Sequence, residues 1–318
     1  MDFCEYQEQA IQTGQALQNA DGMDIAILGV VGEIGSLSSE YKKLLRDGES
    51  HRLFPERIAE ELGDILWYLA AFANKFGLDL NTIAEQNLEK CRDRWGWRNA
   101  QSRECVAFAF DNGSPEQERL PRKFEVEITE LDQNGSTKMQ AFVNGKQMGN
   151  DLTDNSYVSD GYRFHDVFHL SYAAILGWSP VVRQMLGCKR KSHPKIDEVE
   201  DGGRAKAIEE GISALVFRYA QDHEFLEGLT ELDYELLKTV RNLTSGLEVS
   251  QRSLNDWEKA ILAGYEVWRQ VNQNGGGIVS VDLNACSITY FPSGVKPKSK
   301  TAKAISHPTV FYSNQKCG

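Results

Sequence analysis

The chain has 318 residues, 41% hydrophobic and 25% charged, with a formal net charge of −11. That length and balance suit two globular domains rather than a disordered or fibrous chain. The acidic surplus excludes a nonspecific nucleic-acid binder, which needs excess Lys and Arg to displace counterions, but leaves phosphorylated small molecules open, because bound cations can carry the positive charge.

In chain order, the first 97 residues or so read as four helices. Asp2 is expected to cap a first helix running to about Leu17, and Gly22 to break the chain. A second helix is expected from about Met23 to Leu45, with Ala26, Ile27, Val30, Val31, Ile34 and Leu37 at helical spacing. Gly48 is its expected stop. A third spans about Phe54 to Phe76, with Pro55 in its first turn, where the missing N–H is harmless. A fourth runs from about Leu80 to Trp95. The short connections imply antiparallel neighbours and a bundle.

Residues 101–160 change character. Lys123 to Ile128 alternates polar and apolar, Asp132-Gln133-Asn134-Gly135 is a hairpin signal, and Met139 to Val143 reads as the returning strand. This predicts a small β-hairpin insertion or linker. Residues 161–318 return to helix: about Arg163–Leu176, Ser179–Leu186, Gly203–Tyr219, Asp233–Leu243 and Asn255–Val271, then strands Ile278–Asp282 and Ser287–Phe291 and a tail with Lys296, Lys298, Lys300 and Lys303. The expected domains are therefore 1–100, 101–160 and 161–318. The fold class is mainly α.

The six cysteines (Cys4, Cys91, Cys105, Cys188, Cys286 and Cys317) form no CxxC pair. This argues against a zinc knuckle or dithiol redox site and fits single thiols in a reducing cytoplasm. The start, Met1-Asp2-Phe3-Cys4-Glu5, lacks a signal-peptide pattern, and no apolar run reads as a membrane span. A soluble, cytoplasmic protein is expected.

The chemistry gathers on the second and third helices. Glu61 and Asp64 are i, i+3 on one helical face, and Glu33 can meet them from the antiparallel neighbour. Such carboxylates repel strongly in a low dielectric. They need a cation, and an all-oxygen donor set suits Mg²⁺, with Mn²⁺ the alternative. Paired acids on helices are more often solvated faces, but here Val30, Val31 and Ile34 flank Glu33, and Ile65, Leu66, Tyr68 and Leu69 follow Asp64.

Gly32-Glu33-Ile34-Gly35, Tyr41 to Gly48, and Glu60-Glu61-Leu62-Gly63-Asp64-Ile65-Leu66-Trp67-Tyr68-Leu69-Ala70 closely resemble MazG-like nucleotide pyrophosphohydrolases. Asn87-Leu88-Glu89-Lys90 and Arg94 resemble the family's fourth-helix segment. The resemblance implies metal ligands at Glu33, Glu61 and Asp64, matching a family pattern of E-x-x-E on one helix and E-x-x-D on the next. Ser36 stands where the family has its second Glu, a departure that removes one negative charge. Glu60 or Glu40 could compensate, though Glu40 lies two turns from Glu33, about 10 Å along the axis. The implied reaction is hydrolysis of a nucleoside triphosphate to monophosphate and pyrophosphate, for cleaning or depleting the nucleotide pool. Glu60 or Glu61 would accept the water's proton, and Asn87, Lys90, Arg94 and, more weakly, Lys43 would contact substrate. The family also implies a homo-oligomer, dimer or tetramer, with no nucleic-acid or membrane partner.

In the second half, His165 and His169 are i, i+4, a spacing that can hold a metal. No third ligand is fixed by sequence, and two hydrogen-bonded, partly buried histidines would give the same pattern. Glu209 to Phe217 echoes Glu60 to Tyr68, and Asp166 to Leu170 echoes Glu33 to Leu37. A divergent repeat of the bundle, with Asp166, His169 and Glu210 echoing the acidic seam, would explain this, as would coincidence between amphipathic helices. Lys189-Arg190-Lys191 could close over phosphates, or be a solvated loop. This half also resembles the C-terminal region attached to some MazG-like proteins. Two other functions remain open: a nucleotide sensor or scaffold that has lost its chemistry at Ser36, and a hydrolase centred on His165, Asp166 and His169.

Overall fold

In the computed structural model, which describes residues 1–14, 22–95, 110–133 and 136–294, the chain divides into two units, Met1–Asn99 and Ala100–Gly318. The expected end of the first helix, the Asn134-Gly135 turn and the lysine-bearing tail lie outside the described residues.

The first unit follows its capping signals. Asp2 opens α1 (Phe3–Thr13) in a capping box with Glu5. Helix α2 spans Gly22–Asp47, so Gly22 starts the helix instead of breaking the chain. It stops at Gly48, whose φ of +57° suits a residue without Cβ. Helix α3 (Phe54–Lys75) has Pro55 in its first turn, and α4 spans Leu80–Trp95, with the Asp79 carboxylate accepting from the Thr82 N–H at 2.7 Å. Helix α3 packs against both α2 and α1, and α1 also packs on α4. The buried Gln7 side chain ties α1 to the α3–α4 turn, donating to the Leu78 carbonyl at 2.9 Å and accepting from the Leu80 N–H at 2.8 Å. Two backbone groups of the turn are thereby satisfied.

Among the described residues of this unit, the buried apolar side chains are all alanines: Ala10, Ala26, Ala70 and Ala73. Larger apolar residues stand in solvent, with Leu28 and Leu45 each 69% exposed and Val31 61%. By length and composition alone residues 22–50 pass as a membrane span (hydropathy 1.2), a test that a signal sequence or a core helix of a soluble protein also passes. The reason is the density of Ile, Leu, Val and Gly along α2. Glu33 and Asp24 lie in the same helix.

The second unit is built on an antiparallel sheet ordered β3-β2-β1-β4-β5, with β1 at Lys123–Gln133, β2 at Ser136–Val143, β3 at Lys146–Leu152, β4 at Gly276–Asp282 and β5 at Ser287–Phe291. The expected hairpin is thus not a free-standing linker or insertion: β1 pairs with β4, Val126 opposite Val279. Alternation explains the fit, since Phe124, Val126 and Ile128 are buried while Lys123, Glu125 and Glu127 face out. Gly277, at φ +144°, lies where a Cβ would meet the Tyr290 ring at 2.3 Å, so this strand crossing requires glycine.

Around the sheet stand α5 (Asp166–Leu176), α6 (Pro180–Leu186), α7 (Pro194–Val199), α8 (Gly203–Gln221), α9 (Tyr234–Thr244) and α10 (Leu254–Asn274). Helices α5 and α10 pack on each other and on β4 and β5. The core between them holds Phe164, Phe168, Tyr172, Trp257, Tyr265 and Trp268. Among its described residues the first unit is built on helices without strands, whereas here α5 and α8 belong to a sheet-backed core. The short helix α7 and strand β3 carry too little hydrophobic periodicity to be read from sequence.

A buried ionic lattice pins the loops of this unit. Arg190 is fully buried; it donates to Asp201 at 2.7 Å and to Glu248 at 2.7 and 3.0 Å. Arg183 donates to Asp111 at 2.7 Å. Arg190 is therefore neither a phosphate clasp nor part of a solvated loop. Lys189 pairs with Asp197 at 3.1 Å, while Lys191 is exposed. Changing Arg190→Leu strands Asp201 and Glu248 as uncompensated charges. The expected loss is about 3–5 kcal/mol, measured by chemical denaturation of the second unit.

Candidate active site

The α2–α3 seam brings together the acids singled out from sequence. Gly29 bears on it: a Cβ there would lie 2.4 Å from the Tyr68 ring of α3, so that ring lies against α2 only because the side chain is absent. One turn on, Glu33 is half-buried and within hydrogen-bonding reach of Glu61. Partial desolvation, then Glu33 and the charges of Glu60 and Asp64, raise the Glu61 carboxyl above its ordinary value. Asp64, one turn from Glu61, also acts on Tyr6 of α1, whose hydroxyl is raised first by burial and then by that charge. Two carboxylates that touch need either a shared proton or a cation between them. An oxygen-only cluster of Glu33, Glu61 and Asp64 fits a hard divalent ion.

The other seam candidates are differently placed. Glu60 is exposed and pairs with Arg57 at 3.0 Å. Glu40 is buried away from Glu33, held by Lys43 and by His51 at 2.9 Å. Its carboxyl is lowered chiefly by the Lys43 contact. Glu40 therefore has partners of its own, and Lys43 is committed to it. Ser36 is half-buried one turn beyond Glu33. Asn87 and Lys90 are exposed on α4, and the Arg94 side chain lies outside the described residues.

A second cluster lies in the other unit. His165 is the residue before α5, with Asp166 and His169 inside it. One ligand atom from each lies within 4.8 Å of the others. Glu210 of α8 joins them, its Oε2 3.4 Å from His169 Nε2 and 3.7 Å from His165 Nε2. Of the residues expected to echo the acidic seam, Asp166 and Glu210 each lie close to His169, and His165 joins them. Sequence reading did not single out Glu209 as the partner of His169. Glu209 is fully buried and takes His169 Nδ1 at 2.9 Å, the Ser179 hydroxyl at 2.6 Å and the Val181 N–H at 2.9 Å. Burial favours neutral His169, but Glu209 and then Glu210 outweigh it and hold the ring up at about 10. Burial lowers His165, against the opposing pull of Asp166, and raises the Asp166 carboxyl.

Residues 106–294 match the MazG C-terminal domain, and residues 29–98 match the MazG nucleotide pyrophosphohydrolase domain. The chain belongs to the MazG C-terminal domain family and carries a MazG-like pyrophosphohydrolase domain in its N-terminal third. The Gene 37 protein of Mycobacterium phage L5 is 36% identical over 76 residues, 23% of this chain and 67% of that protein. No solved structure matches. Hydrolases of the MazG type use divalent metal ions.

Cysteine pairing departs from expectation in one place. Cys4, Cys91 and Cys188 are free thiols, but Cys286 is disulfide-bonded.

Because the seam depends on the Gly29–Tyr68 approach, Gly29→Val should push α2 off α3. A loss of about 1–3 kcal/mol is expected from overpacking. Thermal unfolding should show it, and Gly32→Ala, at a position with nothing within 4 Å, should be nearly silent.

Proposed function

We propose that the first unit hydrolyses nucleoside triphosphates, ribo- or deoxyribo-, to monophosphate and pyrophosphate with Mg²⁺, cleaning or depleting a nucleotide pool. The observation that carries this is the contact of Glu33 with Glu61 beside Asp64 on one helix seam, within a segment matching the MazG pyrophosphohydrolase domain. Glu33, Glu61 and Asp64 would hold the ion. Bound there, Mg²⁺ supplies charge neutralisation for the phosphates and activation of the attacking water.

The remaining work falls to the protein. Glu61, half-buried in the seam beside Glu33, would accept the water's proton, with exposed Glu60 the alternative. Glu60 would need to leave Arg57, but an exposed pair of this kind holds by only about 0–1 kcal/mol. Asn87, Lys90 and Arg94 of α4 would contact the substrate, with Lys90 and Arg94 on its phosphates. Lys43, tied to Glu40, is the weakest of these contacts.

The exposed apolar strips of α2 and α3 support homo-oligomerisation. Leu28, Val31 and Ile34 on one helix and Leu62 and Leu69 on the other are all exposed. Large contiguous apolar patches on soluble chains mark contact sites. The occupant proposed is a second copy of this unit, whose apolar strips match by symmetry.

The reading is tested by pyrophosphate release from a panel of NTPs and dNTPs with Mg²⁺. Asp64→Ala should lower turnover about 100-fold or more, the scale of losing a charge-stabilising group. Release that is equal in the variant would place the chemistry elsewhere, with His165, Asp166 and His169 the rival centre, and release absent on every nucleotide despite binding would favour a sensor or scaffold. Ser36→Glu restores a carboxylate one turn from Glu33. It should lower the half-saturating Mg²⁺ concentration about tenfold, equivalent to about 1.4 kcal/mol, read from the Mg²⁺ dependence of turnover. In sedimentation velocity, Leu28→Glu should shift the protein toward monomer.

A further inference from the structure

The histidine cluster of the second unit has features that hydrogen bonding within the protein does not account for. His169 is fully buried, and its Nε2 has no hydrogen-bond partner. Its nearest carboxylate oxygen, Glu210 Oε2 at 3.4 Å, meets it without hydrogen-bond geometry. The tautomer follows from the other side of the ring. Nδ1 lies 2.9 Å from Glu209, an acceptor when ionised, so Nδ1 carries a proton, and the ring's second proton is the one a cation must displace to take the Nε2 lone pair. His165 repeats the pattern: its Nδ1 is 2.8 Å from the Tyr162 carbonyl, which can only accept, so its Nε2 presents a lone pair. Both Nε2 atoms lie within 3.7 Å of Glu210 Oε2, and a carboxylate oxygen of Asp166, 2% exposed, lies within 4.8 Å of a ring nitrogen of each histidine.

A proton on His169 Nε2 would answer one of these contacts and leave the His165 lone pair facing the same oxygen. A divalent cation answers all of them together. The spacing agrees. Nitrogen and oxygen ligands about 2.0–2.2 Å from a tetrahedral ion sit about 3.3–3.6 Å apart, and the two Nε2–Oε2 separations are 3.4 and 3.7 Å. The outer contacts also agree. Histidines that ligate metals through one ring nitrogen donate the other N–H to a carboxylate or backbone carbonyl, here Glu209 and Tyr162.

Glu209 itself is not available as a ligand, because three donors already occupy it: His169, Ser179 and Val181. It positions His169 and ties the start of α6 to α8. Tyr162 stacks on His165 with ring centroids 4.4 Å apart, which fixes the second imidazole.

We propose that His165, His169 and Glu210, with Asp166 as the fourth group, form a binding site for a divalent transition-metal ion of the zinc type. Two imidazoles select this class over Mg²⁺, which prefers oxygen. The site is separate in residues and in donor chemistry from the carboxylate seam, and it stands whether or not the first unit hydrolyses nucleotides. Glu210, half exposed, is the side from which the ion would enter.

The test uses the full chain, stripped with chelator and titrated with Co²⁺ as a spectroscopic probe of zinc-type sites. The wild type and Asp64→Ala should each take up one Co²⁺ with visible d–d absorption of four- or five-coordinate strength, displaced by Zn²⁺. Glu210→Gln, a change at a half-exposed position that should spare the fold, is expected to weaken this binding about tenfold or more, and His165→Gln likewise. Circular dichroism of each variant separates lost ligation from lost structure. The proposal is overturned if no such absorption develops in the wild type. It is also overturned if the absorption disappears in Asp64→Ala, or if it persists unchanged in folded Glu210→Gln.

Discussion

Like charges held against one another need a reason, and in the first unit the reason organises everything around it. Glu33 and Glu61 touch across α2 and α3, with Asp64 one turn away. Solvated acids would splay apart. Here the Tyr68 ring of α3 lies over Gly29 of α2, one turn from the acids, and the proposed divalent ion would offset their repulsion. The Glu40–His51–Lys43 group shows the contrast, since an acid with nearby basic partners satisfies itself and has its proton affinity lowered.

The second unit solves a related problem in the opposite way. Several of its charges are buried in ion pairs. Arg190 fills its donors with Asp201 and Glu248, and Glu209 fills its acceptors with three donors. Against that background, an unpartnered buried His169 Nε2 is conspicuous. Buried polar atoms without partners are rare in folded proteins, and one facing the Glu210 carboxylate that a second imidazole also faces has a chemical explanation.

Much of the first unit was legible because its signals are local. Capping at Asp2, the stop at Gly48, and the bounds of α4 follow from neighbours in sequence. The carboxylates were legible because i, i+3 spacing and a short connection between helices fix one face against another. The second unit was harder because its decisive contacts are long-range. Pairing of β1 with β4 joins residues near 126 to residues near 279, which no window of sequence reveals. The role of Arg190 was misread for the same reason: a run of Lys, Arg and Lys resembles a solvated surface until Asp201 and Glu248 arrive. Glu209 and Glu210 illustrate the limit most sharply. Adjacent on α8, they point about 100° apart around the helix, one into the core and one to the rim, and only the packing of α5 decides which is which.

The central claim is that the α2–α3 carboxylates are held together for a divalent ion. The most direct measurement is the thermal stability of the first unit within the full chain as Mg²⁺ is raised, compared between the native sequence and Asp64→Ala. Binding to the folded state alone should raise the unfolding temperature with Mg²⁺ concentration in the native protein, and the rise should vanish in the variant. An identical Mg²⁺ response in both proteins, or none in either, would contradict the account.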